Sequence, residues 1–183
     1  MTVSSPFSKF NKNQEKRLTR VLLMLTVVCI VVLKYFDQFL MNETCTGGIV
    51  SFELAEDLET ASAYLNSWGE QGRIAASMSM GFDFLFPIVY TSFIALLIHK
   101  LNVRLWINHA FFKVGNLLIW AIFVAGVFDY IENVALINLL LGNMDQFWVS
   151  VSYYFATIKF SIIFIGFVYI LLNFSLFLIK KRK

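Results

Sequence analysis

The sequence predicts an all-α polytopic membrane protein: a bundle of four transmembrane helices with a short amphipathic helix outside the bilayer. Three observations predict it. Of the 183 residues, 58% are hydrophobic and only 15% charged, against roughly 25% charged in a soluble domain. Four apolar stretches each approach or exceed the ~20 residues a helix needs to cross a hydrocarbon core. The charges between them are sorted by sign along the chain, so the net +3 is uninformative as a total and the segregation reads as topology. A basic surface of the kind that binds nucleic acid, with aromatic interleaving, is missing.

Residues 1–20 read as a basic tail, with Lys9, Lys12, Lys16, Arg17 and Arg20 against the single acid Glu15. The first span, residues 21–40, is longer than the apolar core of a secretory signal, and no small-x-small cleavage pattern follows it. Lys34 and Asp37 fall on one helical face near its end and are expected to pair, the lysine snorkelling toward water. Cys29 within this span reads as a small buried hydrophobe. Cys45 lies in the polar segment beyond, and the two placements suggest no disulfide.

Residues 41–79 are the longest polar segment, with a turn at Thr46-Gly47-Gly48. Phe52, Ala55, Leu58 and Leu65 recur at helical spacing between 51 and 65, with Glu53, Glu56, Asp57 and Glu59 largely off that face. One short amphipathic helix packed on the bundle is the expectation. Tyr64 and Trp68 suit the interfacial belt, and residues 69–73 read as a flexible, charged re-entry toward the membrane.

The second span, residues 80–98, carries Pro87, which lacks a donor and pushes away the carbonyl of Asp83 four residues earlier. Asp83, Pro87 and Tyr90 share a face, so a kink, a freed acceptor, a carboxylate and a phenol fall together. Residues 99–113 form a basic loop containing His99, Lys100, Arg104, His109 and Lys113 but no acid. The third span is 117–141, a tight turn follows at 142–145, and the fourth span, 150–179, ends in the basic residues 180–183. By the positive-inside rule this alternation places both termini in the cytoplasm of a multi-pass cell-membrane protein.

The third span holds the unusual chemistry. Asp129, Glu132 and Asn133 lie at offsets of three and four and share a face, in a segment where short acidic side chains cannot reach water. An isolated carboxylate in apolar surroundings pairs or takes up a proton. Glu132 lies about 13 Å below the end of its span at 1.5 Å per residue, and Lys159 in span four reaches about the same depth from the same side. Lys159 is therefore the expected partner, with Arg73 a second candidate entering from the loop. Asp83, Asp129 and Glu132 outnumber Lys159 and Arg73 by one, an imbalance that a shared proton or a bound cation would settle. Tyr90 is expected to point into this group, and Tyr153 and Tyr154 to anchor at the interface.

These residues carry a resemblance. The runs Gly69-Glu70-Gln71-Gly72-Arg73, Asp83 to Tyr90 with Pro87, Asp129 to Asn133, and Lys159 resemble the G-x-x-G-R, D-x-x-F-P-x-x-Y, D-x-x-E-N and last-helix Lys pattern of small bacterial four-span integral membrane proteins. The resemblance covers roughly residues 64–160. It implies a cell inner membrane location and one constellation of Arg73, Asp83, Tyr90, Asp129, Glu132, Asn133 and Lys159, and it implies no substrate. A looser likeness to sterol-isomerase-like membrane proteins is opposed by the lack of intramembrane histidines, since His99 and His109 are read as loop residues.

Three functions stay open on the sequence. The first is an outward-facing intramembrane site that binds or processes a lipid or small cationic ligand, its acids serving as counter-ions or as an acid/base pair. The second is a structural or assembly subunit whose ion pairs only hold the bundle. The third is a small ion- or proton-coupled transporter, which with four spans would act as a dimer. Membrane lipid, and a second copy or a larger membrane complex, are the expected partners; nucleic acid is not. No cofactor is called for. With no His or Cys beside the acids a zinc site is not expected, although three carboxylates and an amide could hold a hard divalent cation. No Ser or Cys has a base at matching depth, so catalytic residues are not assignable.

Overall fold

Four helices are long and apolar enough to cross a membrane in the computed structural model, which describes residues 4–182. In order the described helices are α1 (Lys12–Asp37), α2 (Ile49–Glu53), α3 (Leu58–Ser67), α4 (Gly69–Asp83), α5 (Phe86–Trp106), α6 (Phe111–Leu140) and α7 (Gln146–Arg182). The all-α, four-span architecture is the one the sequence predicts. Helices α1, α5, α6 and α7 are the spans.

Helix α1 begins inside the basic stretch read as a tail. Asn11 caps it by accepting from the backbone N–H groups of Asn13 and Gln14, while the Gln14 side chain returns to the Asn11 N–H, a reciprocal capping box. Ahead of it, Phe7 is buried against the rings of His99 and Phe123, and Trp120 donates to the Ser4 carbonyl at 3.1 Å. At the other end of α1, Lys34 and Asp37 pair as expected, at 2.7 Å. Asp37 does more: its second oxygen accepts the Ile49 N–H at 2.8 Å and so starts α2. Gly48 makes this possible, with φ of +59° and no Cβ to collide with that carboxylate.

The single amphipathic helix expected over 51–65 is two helices. Asp57 breaks it, because its Oδ1 accepts the Thr60 N–H at 2.7 Å and caps α3. Those bonds hold the exposed Asp57 carboxyl below its ordinary range. Trp68 is no belt anchor: it is buried, its ring edge-on to Phe52 at 5.1 Å. Residues 69–73, expected as a flexible re-entry, are the first turns of α4. Gly69, at φ +60°, supplies the turn between α3 and α4.

The second span is interrupted, not merely kinked. Helix α4 ends at Asp83, and Pro87 sits in the first turn of α5, where its missing N–H would have had no helical acceptor. Tyr130 hydroxyl donates to the Phe84 carbonyl at 3.0 Å, satisfying one group the break sets free. His99, Lys100 and Arg104, expected in a loop, extend α5, and His99 is buried with Nε2 3.6 Å from Glu15.

Helix α6 packs on α5 and α7, and α1 packs on α4 and α5. Helices α1 and α7 both pack on α5, with almost no direct packing between them. Helices α2 and α3 close one end of the bundle, stapled to α7. Gln146 accepts the Leu58 N–H at 2.8 Å and donates to the Glu56 carbonyl at 3.0 Å, and Ser152 donates to the Glu53 carbonyl at 3.1 Å.

Candidate functional site

Lys159 is the centre of the site. It is carried by α7, and its ammonium lies 2.8 Å from Asp129 Oδ1 and straddles Glu132, at 2.9 Å from Oε1 and 2.8 Å from Oε2. The two acids are one turn apart on α6, so a single cation meets both without distorting the helix. A third carboxylate, Glu53 of α2, places Oε2 3.6 Å from the ammonium. All are withdrawn from solvent: Lys159 is 4% exposed, Asp129 3%, Glu132 0% and Glu53 7%.

The phenol and amide predicted from the sequence join the same group. Tyr90 donates to Asp129 Oδ2 at 2.8 Å, the oxygen Lys159 does not bond. Asn133 donates to Asp83 Oδ2 at 2.7 Å and links α6 to the end of α4. Six of the seven residues singled out in the sequence are thereby brought together. Arg73 is the exception. Its Nε donates to the Leu65 carbonyl at 3.0 Å and its Nη2 to Asn66 Oδ1 at 3.1 Å, so it ties α4 to α3 and meets none of the acids. The helical turn that residues 69–73 adopt points it back along its own segment.

The charge imbalance is larger than the sequence suggested. Without Arg73 and with Glu53 added, Lys159 faces Asp129, Glu132 and Glu53, with Asp83 close by. Among the described residues Asp83 has no ion-pair partner. Burial pushes the Glu53 carboxyl above its ordinary range; Lys159 pulls it down, the Asp129 charge pushes it further up, and the net direction is up. One continuous helix over 51–65 puts Glu53 off the apolar face. The Asp57 break rotates α2 independently, and that is what turns Glu53 inward.

Beside these carboxylates lies a cavity of about 400 Å³. Asp83, Asp129, Tyr90 and Glu53 line its polar end, and α1, α5 and α7 supply apolar walls. No group of three or more His, Cys, Asp or Glu among the described residues could hold a metal ion. Cys29 and Cys45 are both buried and unpaired.

A second buried polar cluster, absent from the sequence reading, lies nearer the basic ends of the spans. Asn102 donates to Asn116 Oδ1 at 3.2 Å and to the Phe112 carbonyl at 3.0 Å, and accepts from the Tyr169 hydroxyl at 3.1 Å. Asn173 accepts from Trp106 Nε1 at 2.6 Å. The available signal was Tyr169 and Asn173 one turn apart in an otherwise apolar run. Asn102 was hidden because residues 99–113 read as a loop.

No protein-family model, curated protein or solved structure matches this chain. None of them supports the likeness to small bacterial four-span proteins expected from the sequence.

Proposed function

We propose that this chain is a structural or assembly subunit of a cell membrane, in which the Lys159 cluster fastens α2, α6 and α7 to one another. The observation that supports the reading is the engagement of Lys159: one ammonium is bonded by Asp129 and Glu132 and approached by Glu53, all from the same chain. A cation so committed is a poor donor to an incoming group. Removing one member of a buried ionic set leaves an uncompensated charge, whereas replacing the whole set by neutral groups does not.

The experiment is a pair of variants unfolded in mixed micelles. Lys159→Met alone is expected to lower the unfolding midpoint sharply. Lys159→Met combined with Glu53→Gln, Asp129→Asn and Glu132→Gln is expected to recover most of the loss. A single variant as stable as the wild type overturns the fastening role.

In this reading the basic ends of the spans face the cytoplasm, because Lys and Arg concentrate there and are scarce at the α2–α3 end. Asn143→Cys is then labelled by a membrane-impermeant thiol reagent in intact cells. A second reading has its own observation: the cavity of about 400 Å³ against the carboxylates favours occupancy by lipid, since it lies within the ~300–1,000 Å³ of small-molecule sites.

A further inference from the structure

The cavity is asymmetric along the bundle. Its far end is walled by Phe93 and Leu97 of α5 and Ile163 and Phe167 of α7, and its near end by Glu53, Asp83, Asp129 and Tyr90. Both α1 and α7 line it, and these two helices pack on α5 but scarcely touch each other. Both helices are spans, so a gap between them gives onto lipid in a bilayer. An occupant therefore carries an apolar chain and one polar end.

The free hydrogen-bonding capacity at the polar end fixes the sign of that end. Both Asp129 oxygens are taken, by Lys159 and Tyr90. Asp83 receives one bond, from Asn133, and no cation among the described residues. Glu53, 93% buried by its 7% exposure, has Oε2 in ion-pair range of Lys159 at 3.6 Å but without a hydrogen-bond partner. Both residues line the cavity. What is vacant is acceptors, and the nearby cations, Lys159 and Lys34, are already held by carboxylates. An anionic head without an amine would meet repulsion there. A group with several N–H donors and a positive charge would meet Asp83 and Glu53.

We propose that this cavity binds a protonated primary amine carried on an apolar chain, which enters sideways from the lipid between α1 and α7 and places its ammonium between Asp83 and Glu53. The inference rests on the lipid-occupancy reading of the cavity and adds the headgroup to it. Shape alone would admit any apolar chain; the accepting capacity left on Asp83 and Glu53 selects the amine. An ammonium donates up to three bonds, whereas a quaternary ammonium of equal charge donates none.

The test uses the full chain in phosphatidylcholine nanodiscs, with dodecylamine, dodecyltrimethylammonium and dodecanol as probes and native mass spectrometry as the readout. Dodecylamine is expected to bind saturably and about tenfold or more tighter than the other two, given the strength of charge-assisted hydrogen bonds. Asp83→Asn keeps an acceptor for Asn133, so it is expected to unfold at the wild-type midpoint while losing that preference. Adding phosphatidylethanolamine separates two sources of the same chemistry: displacement of dodecylamine assigns a lipid headgroup, and no displacement assigns a free amine. Equal binding of dodecylamine and dodecanol, or an Asp83→Asn variant that keeps the preference, overturns the amine assignment and leaves a lipid cavity. Saturable binding by none of the probes overturns both, while the fastening role of Lys159 is judged separately by its own unfolding midpoints.

Discussion

Two buried polar clusters tie this bundle together, and they do so by different means. The cluster at the α2–α3 end is ionic: one lysine against three carboxylates, with a fourth nearby. The cluster nearer the basic ends is neutral, built from Asn102, Asn116, Tyr169, Asn173 and Trp106. A neutral amide network in apolar surroundings is self-sufficient once its donors meet acceptors. An ionic one must also balance its charge, and here it does not balance with the side chains alone. The difference teaches where activity could reside: the neutral cluster is finished, and the ionic one has acceptors to spare.

The largest contrast is expected from removing each centre. Lys159→Met leaves Asp129 and Glu132 buried without their cation and is expected to cost about 3–5 kcal/mol. Asn102→Leu leaves only neutral partners unmatched and is expected to cost about 1–2 kcal/mol, near the upper range for polar contacts between membrane helices. Unfolding in mixed micelles, with the two variants side by side, checks the ranking. Losses of equal size would mean that charge is not what distinguishes the clusters.

Titration sharpens the same comparison. The Glu53 carboxyl is raised in the folded state, chiefly by burial, and faces Asp129 and Glu132 of α6, Lys159 of α7 and Asp83 of α4. A raised acid contributes stability that is fully present below its unfolded pKa and is lost as pH rises through the folded value. The wild type should therefore lose stability as pH climbs above the ordinary glutamate range, and Glu53→Gln should flatten that decline. Asn102→Leu should leave its slope unchanged, because the neutral cluster has nothing to titrate in that range. Unfolding midpoints measured across pH in the three proteins decide it; a wild-type slope kept by Glu53→Gln would remove Glu53 from the account.

What the sequence disclosed follows from how far each signal reaches. The four spans were legible because hydropathy is a property of a contiguous run. The Asp129, Glu132 and Lys159 contact was legible because acids deep in an apolar run demand a cation at matching depth, and one was present. Local backbone chemistry was harder. Pro87 marks a disturbance in the sequence, but a proline can bend one helix or begin another, and here α4 ends at Asp83 and Pro87 falls in the first turn of α5. Arg73 and Glu53 were exchanged for a related reason. Periodicity assumes an unbroken helix, and the cap at Asp57 resets the phase of α2 against α3. The Asn102 cluster gave little signal because amides demand no partner strongly enough to be noticed in isolation.

A glycine tests how tightly the neutral cluster is built. Gly115 of α6 packs so closely on the Asn102 amide that an added Cβ would collide with it. Gly115→Ala is expected to displace that amide and to cost about 1 kcal/mol, a fraction of the Asn102 network at typical membrane values. No glycine approaches the ionic centre in this way among the described residues; Gly48 is crowded by Asp37 instead. A Gly115→Ala variant as stable as the wild type would show that the amide can give way, and that the neutral cluster is looser than its bonds suggest.

The finest comparison removes one hydroxyl from each cluster. Tyr90 donates to the Asp129 oxygen that Lys159 does not bond, and Tyr169 donates to the Asn102 side-chain Oδ1. Each Tyr→Phe change leaves one buried acceptor without its donor, at nearly constant volume. The acceptor is ionic in one case and neutral in the other, and bonds to charged groups are worth roughly twice as much. Tyr90→Phe is therefore expected to cost about 1–2 kcal/mol and Tyr169→Phe about 0.6 kcal/mol, the latter a typical value between membrane helices. Equal small losses would mean that Asp129 is sufficiently satisfied by Lys159 alone. The spare accepting capacity of the ionic cluster would then extend to Asp129, and the ammonium site would be bounded by Asp83, Glu53 and Asp129 together.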